Sequence, residues 1–172
     1  MKYSSLFRQI KNYPTEGILF EDVTTYWKDA DAFAYSITQI IEHFKNKGIT
    51  KIVGLEARGF VIAAPVAVGL HVGFVPIRKP GKLPAELISR SYSLEYGENS
   101  LEIHKDAIDV GDKVLICDDI LATGGTLEAA EQMVLELGGE LVGIGLLSEL
   151  TFLKGRDKLC SKDIYSLYQV QN

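Results

Sequence analysis

The 172-residue sequence predicts an α/β protein: one domain built on a twisted, mostly parallel sheet flanked by helices. Three observations carry this prediction. Short, continuous apolar runs recur at residues 51–55, 114–117 and 141–147, as expected of strands buried on both faces. Segments with apolar residues at helical spacing lie between them. The composition, 47% hydrophobic and 24% charged, is that of an ordinary globular protein, which excludes disorder and a fibrous fold.

In chain order, residues 4–12 have the pattern of a short amphipathic helix. Tyr13-Pro14 and Glu16-Gly17 punctuate a loop, and a short apolar piece, Ile18-Leu19-Phe20, follows. Residues 29–47 predict a helix, because Phe33, Ile37, Ile40, Ile41 and Phe44 recur at helical spacing and Gly48 supplies a stop. The period then changes. Residues 51–55 read as a strand, 56–59 as a turn, 60–70 as a buried Ala-rich helix and 71–78 as another strand. Residues 79–98 hold Pro80, Gly81, Pro84 and Gly97 with little periodicity, and a loop of that length in a compact domain points to a functional lid. Leu101 and Ile103 suggest a strand in which Glu102 faces the opposite way. Residues 114–117 form an apolar strand ending in Asp118-Asp119. A Gly/Thr loop covers 121–126, a helix 127–137 closes at Gly138-Gly139, and strands follow at 141–147 and near 164–170.

The formal net charge of −5 argues against a broad nucleic-acid footprint. It leaves room for a phosphate ligand, since a local cluster of donors can overrule global charge. The two cysteines, Cys117 and Cys160, have no metal-ligand spacing and suit a reduced, cytoplasmic chain. The first residues lack the apolar stretch of a signal peptide, and no apolar run approaches the roughly 20 residues of a membrane span. His43, His71 and His104 have no partners spaced for a triad or a metal site.

In parallel sheets, ligands bind beyond the carboxyl ends of the strands. This singles out residues 56–59 and 118–126. In the second segment an apolar strand delivers Asp118 and Asp119, small and hydroxylated residues follow, and a helix begins. Backbone N–H groups at a helix start, beside Thr hydroxyls, make an anion site, and glycines let the backbone approach a phosphate closely. The adjacent carboxylates suit the hydroxyls of a sugar. Together these residues point to a ribose 5-phosphate. No G-x-x-x-x-G-K-[ST] and no G-x-G-x-x-G follows the strand, so neither a P-loop nor a dinucleotide fingerprint is present. Arg78, Lys79 and Lys82 form a second cluster, three cations within five residues that open the long segment of an acidic protein.

The segment Val114-Leu115-Ile116-Cys117-Asp118-Asp119-Ile120-Leu121-Ala122-Thr123-Gly124-Gly125-Thr126 resembles the ribose-phosphate signature of type I phosphoribosyltransferases. Further stretches resemble the adenine-using branch of that family. They include Gly17-Ile18-Leu19-Phe20, Gly54-Leu55-Glu56-Ala57-Arg58-Gly59-Phe60, Arg78-Lys79-Pro80-Gly81-Lys82-Leu83-Pro84, Tyr92-Ser93-Leu94-Glu95-Tyr96-Gly97 and Leu153-Lys154-Gly155-Arg156. The resemblance covers nearly the whole chain, in order.

The resemblance implies the type I fold, with a small hood at about residues 1–28 and a flexible catalytic lid at about 79–98. It implies transfer of phosphoribose from 5-phosphoribosyl-1-pyrophosphate to adenine, giving AMP and pyrophosphate. Asp118 and Asp119 would hold the ribose hydroxyls, and Ala122, Thr123, Gly124, Gly125 and Thr126 the 5-phosphate. Glu56, Ala57 and Arg58, in a turn that often holds a non-proline cis peptide, would face the pyrophosphate with Arg78, Lys79 and Lys82. Glu95 would be the general acid/base, its pKa raised by burial under the lid, and Tyr96 would seal the site. Leu19, Phe20 and Glu21 would form the base pocket, with Phe20 stacked on the purine. The family often has arginine where this chain has Glu21, so any side-chain role of that arginine is lost. Mg²⁺ would arrive with the substrate, and the chain would form a homodimer. Two alternatives are a phosphoribosyltransferase for another purine base and a non-catalytic sensor of the same sugar phosphate.

Overall fold

The structure, a computed structural model, describes residues 2–13, 16, 19–93 and 98–171. A 3₁₀ turn at Ser4–Leu6 leads into β1 (Arg8–Lys11), β2 (Leu19–Asp22) and the short α1 (Thr24–Trp27). Then come α2 (Ala30–Phe44), β3 (Lys51–Leu55), α3 (Arg58–Leu70) and β4 (Gly73–Ile77). An antiparallel pair, β5 (Leu87–Ser93) and β6 (Glu98–His104), precedes β7 (Lys113–Leu121), α4 (Gly125–Glu136) and β8 (Glu140–Leu150). Two 3₁₀ turns, Thr151–Leu153 and Gly155–Lys158, connect to β9 (Ile164–Val170).

The predicted parallel sheet is present, in the order β4-β3-β7-β8-β9. Residues along each strand alternate between two apolar clusters. Val53, Ile116 and Ile144 pack with Leu127 and Met133 of α4. Ile52, Leu115 and Leu147 pack with Ile40 and Phe44 of α2 and with Ile62 of α3. Both faces are covered, which is why these strands read as continuous apolar runs. Asp29 caps α2, its carboxylate accepting the Ala32 N–H at 2.9 Å, and Gly48 ends that region at φ 67°. His43 bonds to Asp163 at 2.8 Å and stacks on Tyr165, tying α2 to β9. Cys117 is fully buried, and burial pushes its thiol well above the usual range, leaving it inert. No described helix is long and apolar enough to cross a membrane.

Several expectations are corrected. Residues 4–12 are not a helix: β1 pairs antiparallel with β2, Arg8 opposite Asp22, and those two side chains form an ion pair. A segment this short gains too little from its own helical bonds to resist a strand partner. Residues 79–98 are not one structureless loop, because β5 occupies much of the stretch. Ile88 and Tyr92 pack against the core, and Arg90 bonds to Gln132 at 3.1 Å and to Glu136 of α4. β7 runs on to Leu121, so Asp118 and Asp119 lie inside a strand. Its neighbour β8 extends equally far, pairing Asp118 with Leu146 and Leu121 with Glu149. α4 begins at Gly125, two residues before the predicted start at 127.

Candidate active site

Asp118 and Asp119 sit at the carboxyl end of β7. Asp119 is 3% exposed, and its N–H donates to Asp118 Oδ1 at 2.9 Å. Burial, with the Asp119 charge beside it, pushes the Asp118 carboxyl well above the usual range. Burial also raises Asp119, opposed by Arg58. Arg58 Nε lies 2.9 Å from Asp119 Oδ2, but off hydrogen-bond geometry, and among the described residues that buried oxygen has no hydrogen bond. An acceptor so placed is a strong candidate for a ligand hydroxyl. Gly59, in the first turn of α3, lets the helix approach: a Cβ there would stand 2.6 Å from Asp118 Oδ1.

Past β7 the chain turns through Ala122, Thr123 and Gly124 into α4. Gly124 caps the helix at φ 86°, the left-handed region that favours glycine. Its own neighbourhood demands glycine as well, since a Cβ would overlap the carbonyl oxygen of Gly155. The first amides of α4 are therefore bare at the loop, an arrangement suited to phosphate. A cavity of about 320 Å³ opens here. Thr123 and Thr126 line it beside the two acids, and Ala57, Arg58 and Lys79 line its other wall.

The Glu56–Ala57 peptide is cis. The Glu56 carboxylate accepts from Lys82 Nζ at 2.9 Å, the Lys79 N–H at 3.0 Å and Arg78 Nε at 3.2 Å. These donors, Lys82 foremost, hold its pKa at about 2, against the usual 4.5. Glu56 lines the same cavity and organises the basic turn through its carboxylate, gathering three donors onto itself. Lys79 reaches the cavity, whereas Arg78 and Lys82 lean onto Glu56. Glu102 faces away from the cavity, as the strand pattern predicts, and accepts the Gly81 N–H at 2.9 Å.

Phe20 meets Tyr13 edge-on at 5.0 Å, with the Arg58 guanidinium 5.9 Å from its ring centroid. This brings the predicted base segment up to the acid wall through Arg58. Glu21 is half-buried and accepts from Ser148 Oγ at 3.1 Å, and burial raises its pKa. Its carboxylate is directed at β8. Leu19 is described only by its backbone, paired with Lys11.

The phosphoribosyl transferase domain family matches residues 28–163. The adenine phosphoribosyltransferase of Halothermothrix orenii is 52% identical over 169 residues, covering 98% of this chain and 99% of the relative. The chain belongs to the adenine phosphoribosyltransferase family. The solved enzyme of that name from Thermoanaerobacter pseudethanolicus is 50% identical, with a TM-score of 0.94 and 98% of each chain covered. The Saccharomyces cerevisiae enzyme, solved with an imino-altritol bisphosphate and adenine, is 41% identical, with a TM-score of 0.91 and 96% of each chain covered.

Two site residues inferred from the family resemblance, Glu95 and Tyr96, lie outside the described residues, between Ser93 and Glu98. The structure adds Tyr92 and Asn99, one from each strand flanking that gap, to the cavity wall. Nothing local marks them, because their strands reach the cavity through tertiary contacts, β5 packing on α4 and β6 bridging to Arg78 through Glu102. The described residues hold no group of three or more His, Cys, Asp or Glu side chains arranged for a metal ion.

Proposed function

We propose that the chain transfers the 5-phosphoribosyl group of 5-phosphoribosyl-1-pyrophosphate to adenine, giving AMP and pyrophosphate. One observation carries the assignment of roles: Asp118, the buried and incompletely bonded Asp119 and the bare amides of α4 share a cavity with Arg58 and Lys79. The 5-phosphate lies on Ala122, Thr123, Gly124, Gly125 and Thr126, and the ribose hydroxyls donate to Asp118 and Asp119. Pyrophosphate lies toward Ala57, Arg58 and Lys79, with Arg78 and Lys82 held behind by Glu56. The bond from the anomeric carbon to pyrophosphate breaks, and a bond to N9 of adenine forms on the opposite face. Glu95 accepts the proton that N9 loses, a role that a carboxylate within hydrogen-bond reach can fill. Fixed cations and amides stabilise the charge that moves onto pyrophosphate, without reorganising as it develops.

Mg²⁺ fits as part of the substrate, because two adjacent carboxylates are too few for a cage. When bound it would neutralise phosphate charge beside Asp118 and Asp119. Phe20 stacks on the base, and the backbone of Leu19 and Glu21 reads its edge. Exposed Val68 of α3 and Phe74 of the edge strand β4, 80% and 39% accessible, support a homodimer. Sedimentation velocity checks this. Free Cys117 and Cys160 support a cytoplasmic location.

The decisive experiment incubates the protein with radiolabelled adenine, 5-phosphoribosyl-1-pyrophosphate and Mg²⁺. Label appearing in AMP supports the proposal. No AMP, or faster conversion of hypoxanthine, guanine or xanthine in competition, overturns it.

A further inference from the structure

The turns after β8 press on the 5-phosphate loop from behind. Lys154, at φ 51°, swings the chain so that Gly155 faces the loop. The two backbones meet with no room for a side chain on either. A Cβ on Gly124 would overlap the Gly155 carbonyl oxygen, and a Cβ on Gly155 would overlap the Ala122 carbonyl oxygen. The latter would also stand 2.7 Å from Leu121 Cδ1 and 3.1 Å from the Gly124 nitrogen. In a contact this close, the position of Gly155 sets the position of the loop.

Gly155 is in turn fixed by the residue after it. Arg156 Nε and Nη2 each lie 2.6 Å from a different oxygen of Glu149, a bidentate pair. Arg156 also donates to the Ile164 carbonyl and to Ser166 Oγ, both at 3.0 Å, and Ser166 donates to Glu149 Oε2 at 2.6 Å. Glu149 is 3% exposed. In the β7–β8 register it stands opposite Leu121, the residue from which the loop departs. The structure therefore closes a ring: Leu121, the loop, Gly155, Arg156, Glu149, and back across the strand pair to Leu121.

We propose that Glu149 and Arg156 are positioning residues for the transfer reaction: by holding Gly155 against Ala122 and Gly124, they set the amides that receive the 5-phosphate. This rests on the placement of the 5-phosphate given above. A displacement of about 1 Å in a binding group can cost on the order of a hundredfold, so a bracket behind the loop has leverage on binding.

The test is calorimetry on the full chain with two probes separately, ribose 5-phosphate and pyrophosphate with Mg²⁺. It is run well below each variant's melting temperature. Gly155→Ala and Arg156→Ala are expected to weaken ribose 5-phosphate by about tenfold or more while pyrophosphate binding stays within about twofold. Arg156→Lys and Glu149→Gln, which keep part of the bracket, fall between these and the parent, and they answer the question even if the harsher variants fail to fold. A general loss of stability cannot produce that split between probes. Equal weakening of both probes, or of neither, overturns the inference. Thr126→Ala separates the two claims. If it weakens ribose 5-phosphate while the bracket variants bind normally, the phosphate placement stands and the bracket falls. If it has no effect, the placement falls and the bracket's role falls with it.

Discussion

The two walls of the cavity are made by different means. The wall at residues 118–126 continues a central strand, hydrogen-bonded to β3 and β8, and passes into a helix whose start is packed backbone against backbone at Gly124 and Gly155. The wall at residues 78–82 follows β4 at the sheet edge and is gathered around one carboxylate, Glu56, by three donors on a largely exposed turn. The first wall owes its shape to volume and backbone conformation, and the second to charge. The first should therefore yield to added atoms, and the second to salt, pH and charge removal.

The largest effect concerns Glu95, which lies in the sequence between β5 and β6, the strand pair that adds Tyr92 and Asn99 to the cavity. Glu95→Ala is expected to lower kcat by about a hundredfold or more in steady-state assays with adenine. An unchanged kcat removes Glu95 from proton transfer. Gly124→Ala comes next, because it combines a strained φ with overlap at Gly155. Its kcat/KM should fall by about a hundredfold, with the melting temperature also lowered. A near-normal rate would mean that the acid wall tolerates added volume and is not the rigid one. Lys79→Ala, at the cation of that wall that reaches the cavity, should raise the KM for 5-phosphoribosyl-1-pyrophosphate by about tenfold, the range expected for one charge-assisted bond. That penalty should shrink with added salt, and a salt-independent penalty would put shape above charge on the basic wall.

Smaller effects concern protonation. The folded pKa of Glu56 is depressed from 4.5 to about 2. Its stabilising contribution is fully present above the unfolded value and is lost as pH falls from about 4.5 toward about 2. Melting curves of the parent should decline more steeply across that window than those of Glu56→Gln. Asp118 has the opposite sign. Its folded pKa is raised above 3.8, so ionisation costs stability as pH rises through the folded value. Asp118→Asn should melt about 2–4 °C higher at neutral pH, the shift that about 1 kcal/mol produces in a chain of this size. The gain should vanish in acid, while affinity for the sugar phosphate falls. A variant that melts lower at neutral pH would show that the acid is not held at a cost.

The acid wall was more legible than the basic wall. Residues 114–126 carry their meaning locally: an apolar strand, two acids, small residues and a helix start act together within one stretch of chain. In the basic turn the cations were legible, but their pairing with Glu56 was not. A carboxylate beside Arg58 reads as part of an anion site until the fold returns Arg78 and Lys82 to it from more than 20 residues away. Residues 4–12 and 87–93 were misread for a related reason. Short segments with weak periodicity take the structure of whatever they pair with, and no local pattern says that residues 8–11 pair with β2 or residues 87–93 with β6.

The sequence by itself determined the parallel sheet, the helices that cover it and the loop of small residues between two acids and a helix start, because burial on both faces and the bare start of a helix are written in consecutive residues. Only the tertiary structure decided what stands behind those parts: Glu56 beneath the cations, Ser148 against Glu21, and Gly155 with Arg156 and Glu149 behind the loop. Each of these joins residues on different elements. Such contacts depend on how the elements stack, and stacking is settled by packing over the whole core.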